Sequence, residues 1–117
     1  MKRRDDYIFT PESGEHWEVV RLTGKKWNRL ILEHLLLDGP LRYNEFKRRI
    51  DDISDKVLSQ SLQDLEAVHL VRREVKDTRP VEVEYSLTEA GSALEPIMEA
   101  VAEWLETYRE AVERERD

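Results

Sequence analysis

A chain of 117 residues suffices for one domain with a modest core, burying roughly two thirds of its unfolded surface. With no cysteine in the sequence, disulfides, cysteine-based zinc sites and thiol chemistry are excluded. The net charge of −7 argues at first against a nucleic-acid partner, but residues 1–22 sum to −1, residues 23–91 to −1 and residues 92–117 to −5, so the acidity gathers at the C-terminal end.

No apolar run reaches the ~18 residues of a membrane span. Met1 to Asp6 leads into no signal-type apolar core, so a cytoplasmic protein is expected. Residues 1–14 mix charges with Pro11 and Gly14 and read as a flexible arm, on which Tyr7, Ile8 and Phe9 can dock on a partner. The folded domain is expected over residues 15–117. Glu15 to Leu22 suits a short helix with Trp17, Val19 and Val20 facing inward, broken by Thr23 and Gly24. Trp27, Leu30, Ile31 and Leu35 keep helical spacing through Leu37. Asp38, Gly39 and Pro40 then stop that helix, because glycine suits a left-handed residue and proline cannot continue.

Leu41, Arg42 and Tyr43 read as extended. Asn44 is expected to cap a helix through Arg49 with Phe46 and Ile50 inside, and Asp51 to Ile53 form a turn. Ser54 caps the next helix, about residues 54–67, with Val57, Leu58, Leu62 and Leu65 on one side and Lys56, Ser59, Gln60 and Gln63 on the other. Leu70 to Arg73 begin one strand. Val81, Val83, Tyr85 and Leu87 alternate with polar residues as a second, and the connection about 75–82 carries Arg79. Thr88 is placed to cap another helix, with Glu89 in its first turn. Pro96 is expected to kink the pattern or start a new helix, about residues 96–115.

This order of elements predicts a mainly α fold with a small two- to three-stranded β wing, a winged helix-turn-helix. A groove-entering helix with a hairpin beside it points to double-stranded DNA. Lys56, Ser59, Gln60 and Gln63 are the candidate base contacts, since glutamine can pair bidentately with adenine and serine accepts several partners. The plainer reading is a solvated helix face. Lys25, Arg42, Lys47, Arg48 and Arg79 are candidates for DNA backbone contact, with Arg79 on the wing. The alternative is ordinary surface charge paired with Glu45, Asp51 and Asp52.

Ile97, Val101, Trp104, Leu105 and Tyr108 form a stripe expected to pair two copies of the chain, with Trp17 alongside. Trp17, Trp27 and Trp104 also admit a ligand pocket at that interface, and hence an unidentified small-molecule effector. His16, His34 and His69 lack zinc-site spacing, and no phosphate loop or nucleophile elbow is present. No enzyme, metal or cofactor is expected. A winged helix used for protein contact is the alternative that the overall acidity supports.

Several pieces recur together: Gly24-Lys25-Lys26-Trp27, the run 38–46 from Asp38 to Phe46, Ile53-Ser54, Leu65-Glu66, Leu70 to Arg73, Pro80, Val83 to Thr88, Gly91, Leu94 and Trp104. In this order the chain resembles the HxlR-type winged-helix transcriptional regulators, relatives of the MarR group, from about Gly14 to Tyr108. The resemblance implies a homodimer on a pseudo-palindromic operator, paired through terminal helices. Two positions depart from the pattern. Many members carry a redox-sensing cysteine where this chain has Gly14, so a thiol sensor does not carry over. The family's glycine at the end of the reading helix is His69, where a left-handed backbone is strained for a side chain.

Overall fold

The apolar stripes between residues 31 and 71 close onto one centre. The computed structural model describes residues 1–6 and 17–116, without the side chains of Arg4 and Trp17. The elements run α1 (Trp17–Gly24), α2 (Lys26–Asp38), β1 (Leu41–Arg42), α3 (Tyr43–Arg49), α4 (Asp55–Ala67), β2 (Val71–Lys76), β3 (Glu82–Leu87), α5 (Glu89–Ser92) and α6 (Glu95–Arg116). Ile31, Leu32 and Leu35 of α2, Phe46 of α3 and Leu58, Leu62 and Leu65 of α4 are buried together with Leu41, Ile50, Ile53, Leu70 and Val71. The arm expected over 1–14 is described only to Asp6, with a 3-10 turn at Arg4–Asp6. The 14/15 boundary and the docking of Tyr7, Ile8 and Phe9 lie outside the described residues.

Local chemistry fixes the helix ends. Gly39 takes φ 75° and its N–H reaches the Leu35 carbonyl at 3.1 Å, ending α2 as expected. Ser54 Oγ accepts the Val57 N–H at 3.1 Å and starts α4. Two expectations are corrected. Asn44 is not a cap: helical geometry begins one residue earlier, at Tyr43, and Arg42 N–H donates to Glu45 Oε1 at 2.9 Å. Strand β1 holds Arg42 opposite Glu84, so the turn from extended to helical falls right after it. Val20 is not inward but 52% exposed, and among the described α1 side chains Val19 packs on the core. The rotation of α1 is set where buried Asn28 donates from Nδ2 to the Leu22 carbonyl at 2.9 Å.

The sheet order is β1-β3-β2, antiparallel throughout, so β3 is the centre of a three-stranded sheet. Register puts Leu41, Val71, Tyr85 and Leu87 on one face and Arg42, Arg72, Glu74, Lys76, Glu82 and Glu84 on the other. Tyr85 meets Phe46 edge-on at 6.1 Å. On the polar face Arg42 pairs with Glu82 at 2.8 Å, while Lys76 lies 3.4 Å from Glu74 and 3.6 Å from Glu84. That lysine bridges two glutamates held directly opposite each other.

The end of α4 is built around His69. Its φ is 63°, its N–H reaches the Glu66 carbonyl at 3.0 Å, and Leu70 N–H reaches the Leu65 carbonyl at 3.0 Å, the two bonds of a Schellman stop. Thr88 then ties this corner to α5. Its hydroxyl donates to the His69 carbonyl at 2.6 Å and accepts the Gly91 N–H at 3.1 Å, and its own N–H bonds the Leu70 carbonyl at 3.1 Å. Gly91 sits so close that a Cβ there would lie 2.2 Å from the Leu70 carbonyl oxygen. Pro96 falls in the first turn of α6, which confirms a new helix there.

The two sides of this corner respond oppositely to substitution. His69→Gly relieves the left-handed strain and is expected to stabilise by about 1 kcal/mol. Gly91→Ala forces carbonyl and helix apart and is expected to cost about 2 kcal/mol. Urea unfolding of both variants checks this, and a neutral Gly91→Ala would show that the corner yields freely.

Candidate nucleic-acid interface

Burying Leu58, Leu62 and Leu65 turns the other side of α4 outward. Lys56, Gln60 and Gln63 are exposed and Ser59 is half-buried, all on one face by their spacing. Gln60 Nε2 donates to Asp64 Oδ1 at 2.9 Å, one helical turn on. Asp64 was not singled out from the sequence, although its i+4 spacing from Gln60 is a signal that could have found it.

The leading end of α4 is held by side chains from α3. Lys47 Nζ donates to the Ile53 carbonyl at 2.7 Å and lies 3.2 Å from Asp55 Oδ1. The Tyr43 hydroxyl lies 3.1 Å from Asp55 Oδ1, 3.2 Å from the Asp55 carbonyl oxygen and 3.3 Å from Ser59 Oγ. The Lys47 ammonium first, and the Tyr43 hydroxyl second, hold the Asp55 carboxyl below the ordinary aspartate value. Sequence reasoning missed Tyr43, whose contacts are 12 and 16 residues away along the chain and leave no local pattern.

The basic residues divide into two groups. Lys47 is committed to the α3–α4 turn and Arg42 to Glu82, while Arg49 pairs with Asp38 at 3.2 Å and Glu45 at 3.7 Å. Arg48 on α3, Lys56 on α4 and Arg79 in the wing are exposed and form no ion pair with another described residue. Lys25 is exposed at the start of α2, and Lys26 lies 4.5 Å over the Trp27 ring. Of the sequence candidates Arg42, Lys47, Arg48 and Arg79, the last two are free of such pairs with described residues.

No residue of α6 is buried in the single chain. Ile97, Val101, Trp104, Leu105 and Tyr108 are 39–59% exposed, and Trp104 and Tyr108 rings lie 5.4 Å apart. Val20 joins Leu94, Ile97, Met98, Val101 and Leu105 along an open groove of about 540 Å³ between α1, α2 and α6. The side chain of Trp17, expected there too, lies outside the described residues. Among the described residues no cluster of His, Asp and Glu is placed to hold a metal, and no helix is long and apolar enough to cross a membrane.

The family model for the HxlR-like helix-turn-helix matches residues 22–113, from the end of α1 to the last turns of α6. The chain belongs to the HxlR family. It is 42% identical over 89 residues to the HTH-type transcriptional regulator YodB of Bacillus subtilis, covering 76% of this chain and 79% of that protein. The structure of reduced B. subtilis YodB superposes with a TM-score of 0.72 at 38% identity, over 83% of this chain and 91% of that one. The redox regulator HypR in its oxidised form gives a TM-score of 0.69 at 41% identity, over 78% and 93% of the two chains. This protein is a transcriptional regulator of the HxlR and MarR type, with their winged-helix fold.

The Asp55 clamp has a pH signature. Because its folded pKa is depressed, its contribution is present above the ordinary aspartate value of 3.8 and is lost as pH falls through the lower folded value. Following the Asp55 carboxyl carbon by NMR should give a midpoint below 3.8, raised by Lys47→Met and less by Tyr43→Phe. A midpoint at the ordinary value that neither change moves would remove the clamp.

Proposed function

We propose that this regulator acts as a homodimer on double-stranded DNA, with α4 in the major groove and the 77–81 wing connection against flanking backbone or minor groove. The observation that carries the reading is the outward face of α4. Lys56, Ser59, Gln60 and Gln63 stand ready for base edges while three leucines fix the helix from behind. Arg48 and Arg79 supply phosphate contacts, joined by Lys25, and by Arg42 where it releases Glu82. Lys47 braces the reading helix. The net acidity does not oppose this, since Arg42 and Lys76 neutralise glutamates of the wing sheet and most of the surplus lies on α6.

Pairing follows from α6. Five large apolar side chains left in water form an association site, and a second copy about a two-fold axis covers them. The groove beside Val20 extends the same surface and has room for an unidentified effector. The thiol route is closed to this chain because it has no cysteine.

Gln60→Ala and Gln63→Ala should keep fold and dimer, and each should lose roughly 1–3 kcal/mol of discrimination at particular base pairs. Arg79→Ala should weaken binding on most sequences and flatten the salt slope. Anisotropy titrations on a selected site and a scrambled one read both. Unchanged sequence preference in both glutamine variants would take α4 out of the groove.

The dimer makes a second prediction. Residues 92–117 carry a net −5, so acidic side chains must sit at the rim and salt should strengthen pairing while it weakens DNA binding. Trp104→Ala and Leu105→Glu should yield monomers with reduced operator affinity, since each reaches one half-site. Sedimentation of the wild type as a monomer at micromolar concentration, in both low and high salt, would contradict the pairing.

A further inference from the structure

Serine and glutamine can each meet DNA as donor or acceptor, and which they offer decides which base edges they read. Here their neighbours decide it. Gln60 Nε2 lies 2.9 Å from Asp64 Oδ1. An ionised carboxylate only accepts, so the amide end facing it must be the NH2, and the Gln60 carbonyl oxygen is left for a ligand. On the other flank the Tyr43 hydroxyl lies 3.1 Å and 3.2 Å from two oxygens of Asp55, which likewise only accept. The phenol has one proton, and Asp55 takes it. Toward Ser59, 3.3 Å away, the phenol oxygen can then only accept, so the serine proton is committed as well. Ser59 keeps lone pairs and no donor.

We propose that Asp64 and the Tyr43–Asp55 pair set the hydrogen-bond polarity of the reading face, so that Gln60 offers DNA its carbonyl oxygen beside a single N–H, Ser59 offers lone pairs alone, and both select the exocyclic amines of adenine and cytosine. This rests on α4 entering the major groove. Gln60 retains one amide hydrogen beyond the one given to Asp64, so it completes a bidentate pair with N6 and N7 of adenine. Ser59, with no proton to give, cannot pair with guanine O6 or thymine O4. The charges fit this assignment. Lys47 lies 3.2 Å from Asp55 and offsets its charge. Asp64 forms no ion pair with another described residue, so beside phosphates it costs general DNA affinity, and orienting Gln60 is what it returns. Tyr43, Asp55 and Asp64 are thus positioning residues that act through the two readers.

The test begins with a duplex site selected by the full chain from a random pool. At the position that Gln60→Ala relaxes, purine in place of adenine removes only the amine. It should weaken wild-type binding about tenfold and leave Gln60→Ala unaffected. Taking away a carbonyl oxygen instead, with 4-thiothymine in place of the thymine opposite that adenine, keeps the pair and should change little. Asp64→Ala should lose about tenfold preference at the Gln60 position while binding all DNA more tightly. Asp64→Asn removes the same charge but keeps an acceptor oxygen, so it should gain general affinity and keep most of the preference. Tyr43→Phe should relax only the position read by Ser59. Loss on carbonyl deletion rather than amine deletion, or full preference in Asp64→Ala, overturns the proposal while α4 stays in the groove. A wild type with no preference, unchanged by Gln60→Ala and Gln63→Ala, overturns the groove assignment and the proposal together.

Discussion

The packing of Leu58, Leu62 and Leu65 of α4 against Ile31, Leu32 and Leu35 of α2 governs the rest of the molecule. Fully burying a leucine or isoleucine contributes about 1.5–3 kcal/mol each, far more than any exposed ion pair on this surface. That contact fixes the rotation of α4 about its own axis. A turn of one residue, 100° on a helix, would carry Gln60 out of the outward arc and a leucine into water. The polar face is therefore defined by what lies behind it. The caps complete the constraint: Ser54 fixes where the helix begins, and the Schellman bonds at His69 fix where it ends.

The corner at His69 links α4, the β2–β3 hairpin and α5 in a few bonds. The carbonyls of His69 and Leu70 are both taken by Thr88, and Gly91 packs against the second. Strand β3 enters α5 at this point, and α5 leads into α6. The direction of α5 relative to α4 is consequently set by a close backbone approach that tolerates no Cβ. Strain at His69 is accepted because the surrounding bonds over-determine its conformation. This is how the chain does without a glycine at that position.

Much of this was legible in the chain. The Gly39 stop, the Ser54 cap, the leucine stripe and the alternation of β3 each rest on interactions within a few residues, and sequence carries those directly. What failed to read was tertiary. Nothing near Asn44 announces that β1 pairs Arg42 with Glu84 and moves the helix start to Tyr43. Nothing near Val20 announces that Asn28 sets the rotation of α1. Among the basic candidates, charge was visible but pairing was not. Lys47 and Arg48 are neighbours in sequence, yet one is bound to Asp55 and Ile53 and the other meets no acid among the described residues. A list of cations from sequence is a list of capacities, and the fold decides which remain unspent.

The same logic separates the two ends of the domain. The core elements hold α4 and the wing by buried contacts, whereas among the described residues α6 adds Met98 to the side chains packed on the core, with Leu94 just ahead of it. The helix runs for 22 residues, about 33 Å in all, with Ile97, Val101, Trp104, Leu105 and Tyr108 exposed in the single chain. With so few contacts to the core, the angle of α6 is open to adjustment by a second copy. In the proposed dimer that angle is set by the second copy, and with it the separation of the two α4 helices. Half-site spacing is a geometric property of the pair. In that proposed dimer the apolar stripe of α6 and the polar face of α4 would form one device, the first setting how far apart two copies of the second are held.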